Sequence, residues 1–140
     1  MKRFLIPLLF VLALTNAGMA ETWVLVAEWN EKTMGKDTLY QRYIDSDSIN
    51  QMDNIISARF YVSSTYSGGG HLTKISVDCN NGFFTNEAFG TSFKRRINFF
   101  GKVTWQGVEL SKGKVVREIY PLLGVQEGME GAYDYLCKYF

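Results

Sequence analysis

From Lys74 to Phe84 the chain reads KISVDCNNGFF, and polar and apolar positions alternate through its first half. Ile75, Val77 and Cys79 fall on one side of an extended chain, and Lys74, Ser76 and Asp78 on the other. That period of two marks a half-buried strand. Asn81-Gly82 follows, a pair that favours a tight strand reversal because both residues tolerate positive φ. Cys79 is therefore expected to point inward beside a hairpin turn. The longest alternation runs from Asn54 to Tyr66. Ile56, Ala58, Phe60 and Val62 share one face, and Ser57, Arg59, Tyr61 and Ser63 the other, as in an antiparallel sheet with one face on the core.

The same pattern predicts strands at Trp23 to Trp29 and Thr38 to Ile44, separated by a loop at Lys32 to Asp37 and closed by the polar break Asp45 to Ser48. Ser67-Gly-Gly-Gly70 is a flexible connection into the strand ending at Cys79. Phe83 to Phe89 is that strand's hairpin partner. Arg95 to Trp105 reads as one further strand, with Gly101 as a bulge or bend. Ser111 to Lys114 forms a hairpin tip before Val115 to Tyr120, which Pro121 ends. The tail changes period. Met129, Tyr133, Leu136, Cys137 and Phe140 follow the spacing of one helical stripe, with Gly128 and Gly131 weakening the start, so the helix is expected from about Gly131. The fold class is α+β: an antiparallel sheet of about six strands with one C-terminal helix packed on it.

The first residues change what this fold is for. Lys2 and Arg3 precede the uncharged apolar run Phe4 to Leu14, and Gly18-Met19-Ala20 ends it with small residues. Residues 1–20 are a secretory signal peptide by this pattern, and the run is too short for a membrane span, which takes roughly 20 residues. No other stretch is apolar enough to span. Residues 21–140 then form a single exported domain, periplasmic or secreted to the cell surface, with no lipoprotein cysteine. Losing Lys2 and Arg3 leaves thirteen basic against fourteen acidic residues, a balance that argues against nucleic acid as a partner. Export also makes the two cysteines informative, since thiols in an oxidising compartment most often pair. A helix laid on the sheet brings Cys137 to the inward side of Cys79. The alternative is two buried free thiols.

Candidate chemistry is sparse. His71 is the only histidine; it stands beside a triple glycine, in an expected loop. A histidine-rich metal site is thereby excluded, and a Ser-His-Asp triad would have to be built on His71. Asp45-x-Asp47 resembles the opening of a calcium loop, but the later glycine and glutamate are missing, so a solvated strand-exit turn is expected. No CxxC, GxGxxG or catalytic set is present. No metal or cofactor is expected, and the chain reads as non-catalytic. The most concentrated charge is Lys94-Arg95-Arg96, which with Lys102, Lys112, Lys114 and Arg117 makes either a basic contact patch or a charged sheet edge that blocks pairing between molecules.

These landmarks occur in a telling order: an N-terminal Trp strand, Tyr43-Ile-Asp-Ser-Asp-Ser-Ile49, a long alternating strand, Ser76-Val-Asp-Cys79, and an aromatic and proline segment before a terminal cysteine. The order resembles the surface-adhesin protein E family of Gram-negative bacteria, over nearly all of residues 21–140. The resemblance implies a small antiparallel sheet, a C-terminal helix and a disulfide joining them; the named adhesin binds host matrix and serum proteins. The chain departs from the family in lacking the anchoring cysteine of some surface members. It also has Tyr120-Pro121 where a Trp-containing segment is common, and its Trp105 lies further upstream. The matching positions are fold positions, so no adhesive residue carries over. The expected function is an exported binding domain contacting a protein or glycan, with Lys94, Arg95, Arg96, Tyr66 and His71 as candidate contacts. The competing readings are an accessory structural protein of an envelope assembly and a small hydrolase built around His71 or a carboxylate pair.

Overall fold

The computed structural model describes residues 22–66, 68–119 and 126–139. The expected signal peptide at residues 1–20 and the expected strand end at Tyr120-Pro121 lie outside them, as does Phe140. The strands are β1 (Trp23–Thr33), β2 (Lys36–Asp45), β3 (Asn50–Met52), β4 (Ile55–Ser64), β5 (Gly69–Asp78), β6 (Phe83–Asn86), β7 (Thr91–Ile97), β8 (Val103–Ser111) and β9 (Lys114–Ile119), followed by helix α1 (Gln126–Tyr139). They form one nine-stranded sheet in the order β1-β2-β4-β5-β6-β7-β8-β9, with β3 attached to β4 off that path. Every described pairing is antiparallel. The class is α+β as expected, but the sheet has nine strands rather than about six.

The excess has local causes. Asn50–Met52 is wholly exposed, so it carries no apolar alternation to reveal it. The segment expected as one strand, Arg95 to Trp105, belongs to two. Ile97 pairs with Val103, and the chain reverses between them, with Gly101 at φ +83. Gly101 is a turn residue and not a bulge. The supposed loop Lys32 to Asp37 is mostly ladder, because Lys32 pairs with Asp37 and Thr33 with Lys36. Only Met34 (φ +54) and Gly35 (φ +80) turn the chain. At Asn81-Gly82 the opposite correction applies. Asp78 pairs with Phe83, so the loop has four residues, and of the two only Gly82 takes positive φ. The Asp78 carboxylate shapes it, accepting the backbone N–H groups of Asn80 and Asn81, both at 3.1 Å.

The alternation places the core. Ile75 and Val77 are fully buried, and with Ile44, Ile56, Ala58, Phe60, Phe84, Phe93 and Trp105 they form the sheet side of one cluster. Met129, Ala132 and Leu136 of α1 close it. Burying each such large apolar side chain contributes about 1.5–3 kcal/mol relative to leaving it in water. The helix begins at Gln126, a turn earlier than the glycines suggested, because those glycines are where it touches the sheet. A Cβ on Gly131 would stand 2.3 Å from the Val26 carbonyl oxygen and 2.9 Å from the Ala27 Cβ. Beyond them, Cys79 and Cys137 form a disulfide with Cα atoms 5.6 Å apart, and the Tyr133 hydroxyl donates to the Cys79 carbonyl at 3.1 Å.

Candidate functional site

Strand alternation decides first what becomes of Lys94-Arg95-Arg96. The three are consecutive in β7, so they cannot share a face. Arg95 points with Phe93 toward the helix. Its Nε and one terminal nitrogen donate to the two Glu130 oxygens at 2.9 and 2.7 Å, and its guanidinium lies 5.2 Å from the Tyr133 ring centre. The hydrogen bond to Glu130 is the largest influence raising the Arg95 pKa, with burial opposing it. Glu130 also accepts the Trp105 indole N–H at 3.2 Å. Arg95 is thus a tie between sheet and helix. Lys94 and Arg96 point the other way. Lys94 donates to the Asn81 carbonyl and sits 4.8 Å from the Phe83 ring centre; Arg96 pairs with Glu118 of β9. The basic run is therefore not one free patch.

Tyr66 and His71 are exposed. His71 lies in β5, opposite Val62, and not in a loop as expected. Lys94 is level with Asp78 through Phe83, seven residues along β5 from His71. At about 3.3 Å per residue that is roughly 23 Å. Tyr66 and His71 thus mark one end of the sheet and the basic run the other. Asp45 is no solvated turn residue either. It is 2% exposed, accepts the Asp47 and Thr22 backbone N–H groups at 3.0 and 3.3 Å, and binds Arg59 at 3.3 Å. Its lone pairs serve the short 3-10 turn Ser46–Ser48. Among the described residues no three His, Cys, Asp or Glu side chains gather as metal ligands.

Two features escape a reading by periodicity. Arg42 is 8% exposed under the start of α1, where a Cβ on Gly128 would lie 3.0 Å from its Cγ. It donates to the Gln41 and Ser63 carbonyls at 2.9 and 3.4 Å and lies 4.8 Å from the Trp29 ring centre. Burial lowers its pKa. No sequence signal marked it, because the Trp29–Tyr40 pair beside it exists only in the β1–β2 register.

The second feature is the β7–β8 connection. Asn98 donates its N–H to the Lys102 carbonyl at 3.0 Å and accepts the Gly101 N–H at 2.9 Å. Its side-chain oxygen accepts the Phe100 and Lys102 N–H groups, both at 2.9 Å. These bonds leave Phe99-Phe100-Gly101 as a three-residue loop with a left-handed third residue, a common hairpin form. The two rings stack 4.3 Å apart at 29° while 92% and 82% exposed. The spacing Asn98-x-x-Gly101 was the available signal, hidden by assigning Phe99 to a strand interior. Comparison with protein-family models, curated proteins and solved structures returned no match.

Proposed function

We propose that this chain is an exported, non-catalytic binding domain that meets a protein or glycan partner through exposed side chains at the ends of its sheet. The observation that carries this reading is the Phe99–Phe100 pair, two large apolar rings presented to solvent by a turn that four hydrogen bonds define. Exposed aromatics on a built scaffold suit contact, since Phe, Tyr and Trp are enriched where surfaces meet. We read two of the ion pairs as structural ties, Arg95 with Glu130 and Asp45 with Arg59. The disulfide suits an oxidising compartment. Tyr66 and His71 offer a second contact region at the opposite end; Lys94 and Arg96 contribute charge beside the first.

A second reading, an accessory component of an envelope assembly, draws on the same exposed rings, because apolar surface of this kind is commonly covered in the working complex. Affinity capture from matrix-protein, glycan and envelope preparations tests both. F99S/F100S and Y66A/H71A variants are run beside the unaltered chain. A partner lost on either double substitution supports the binding reading. One stoichiometric envelope partner supports the assembly. Capture that neither variant alters removes both surfaces from the proposal.

A further inference from the structure

Phe99 and Phe100 stand at the end of an arm. On the β6 side, backbone pairing along β7 ends at Arg95, whose N–H donates to the Gly82 carbonyl at 2.7 Å, and on the β9 side the described residues reach Gly107 of β8. The Ile97–Val103 pair lies two residues beyond the first limit, so among the described residues the two-stranded tip extends past that edge by roughly 7 Å at about 3.3 Å per residue. Ile97 is also exposed, at 60%, so three large apolar side chains occupy the tip. Behind them the arm carries Lys94, Arg95, Arg96 and Lys102, and from Thr91 to Gly107 it holds no aspartate or glutamate. Two of the four cations are matched by Glu118 and Glu130 from other elements. Lys102 is exposed, and among the described residues Lys94 engages an uncharged carbonyl and a ring face.

An apolar point with a basic collar has a physical counterpart in an interface where hydrocarbon lies beneath anionic headgroups. Buried apolar area and attraction to anionic lipid add there, and lysine places its charge at headgroup level while its stem stays in apolar surroundings. The two rings stand almost fully in solvent, so burying them takes a phase that yields around them or a deep receiving pocket. The net positive charge of the collar, with Lys94 and Lys102 in excess of the two cations that Glu118 and Glu130 match, favours the lipid. We propose that the β7–β8 arm docks on anionic lipid bilayers, with Ile97, Phe99 and Phe100 entering the interface and Lys102 and Lys94 at headgroup level. This rests on the reading of the chain as an exported binding domain. It leaves the end bearing Tyr66 and His71 directed away from the membrane, toward any protein or glycan.

The test uses the protein as purified from the expressing cell, its N terminus established by intact mass. It is sedimented with vesicles of phosphatidylethanolamine and phosphatidylglycerol, and with phosphatidylcholine vesicles, at low and high salt. Binding to the anionic vesicles is expected to fall at least tenfold in F99S/F100S, to fall severalfold in K102E, and to weaken with salt. F100W should show blue-shifted emission and quenching by brominated lipid on anionic vesicles only. The substituted side chains are exposed, so circular dichroism and melting of all variants should match the unaltered protein. Equal sedimentation of F99S/F100S and the unaltered chain overturns the proposal, as does an indole emission in F100W that vesicles do not change. If the rings instead prove necessary for capturing a protein or glycan while vesicles ignore them, the lipid is the wrong partner and the binding reading stands. If neither vesicles nor any captured partner depends on them, that reading loses its carrying observation as well.

Discussion

Arg95 shows how one position can reverse its expected role. In sequence it belongs to a basic run; in space its two nitrogens hold Glu130 across the helix–sheet junction, with the side chains 24% and 33% exposed. A bidentate pair in such partial burial exceeds an ordinary surface ion pair, which is worth about 0–1 kcal/mol. A double-mutant cycle with R95M and E130Q, followed by urea unfolding, should give a coupling of about 1–2 kcal/mol. A coupling near zero would return Arg95 to the surface. Tyr43 gives a pH prediction. Burial first, then the nearby Glu28 and Tyr61, push its pKa from 10.0 up to about 12, and its hydroxyl donates to the Gln41 side-chain oxygen at 2.8 Å. The raised value belongs to the folded state. Its contribution is whole below pH 10, where both states hold the proton, and is lost as pH rises toward 12, where only the unfolded state releases it. The stability of the unaltered protein should thus drop between pH 10 and 12 by up to about 2 kcal/mol more than that of Y43F, measured by urea unfolding across that range.

At the scale of elements, α1 carries the clearest lesson. By helix propensity alone, Gly128 and Gly131 are weak positions, each about 1 kcal/mol worse than alanine. In the fold they let α1 approach β1 and β2. A side chain on Gly131 meets backbone at 2.3 Å, whereas one on Gly128 meets the flexible Arg42 side chain at 3.0 Å. G131A should therefore destabilise by roughly 1–3 kcal/mol despite its better propensity, and G128A should cost distinctly less. Denaturation midpoints of the two variants check the order, and a stabilised G131A would place the helix further from the sheet. The strand errors are of the same kind. Arg95 to Trp105 alternates through its turn, because Ile97, Phe99, Val103 and Trp105 keep even spacing across Gly101. Periodicity cannot see that Ile97 and Val103 pair across a reversal and that Ile97 and Phe99 are left exposed.

The whole molecule is tied at one corner by Cys79 and Cys137, 58 residues apart in sequence. The bridge joins the end of β5 to the last turn of α1, next to the Tyr133 hydroxyl bond. Closing a loop of that length restricts the unfolded chain by an amount worth about 4 kcal/mol in the chain-entropy account. C137S should accordingly lower the melting temperature on the order of 10 °C, as should reduction of the unaltered protein; a shift within about 2 °C would leave the junction to packing and to Arg95–Glu130. Among the described residues no helix is long and apolar enough to cross a membrane. The sheet presents two separate ends to its surroundings, the arm at one and Tyr66 with His71 at the other.

Alternation and turn chemistry are local, and local patterns were enough to determine the α+β class, the buried face of β4 and β5, the helical stripe and the inward side of Cys79. Each depends only on residues within a few positions of one another. Which cation is free, which glycine is a contact, and which aromatic faces solvent were decided by register and by the seat of α1 on the sheet. Those facts join positions as distant as Arg95 and Glu130 or Gly131 and Val26. A one-dimensional pattern says which face a side chain takes, but the group that will stand opposite it is chosen only when the strands pair.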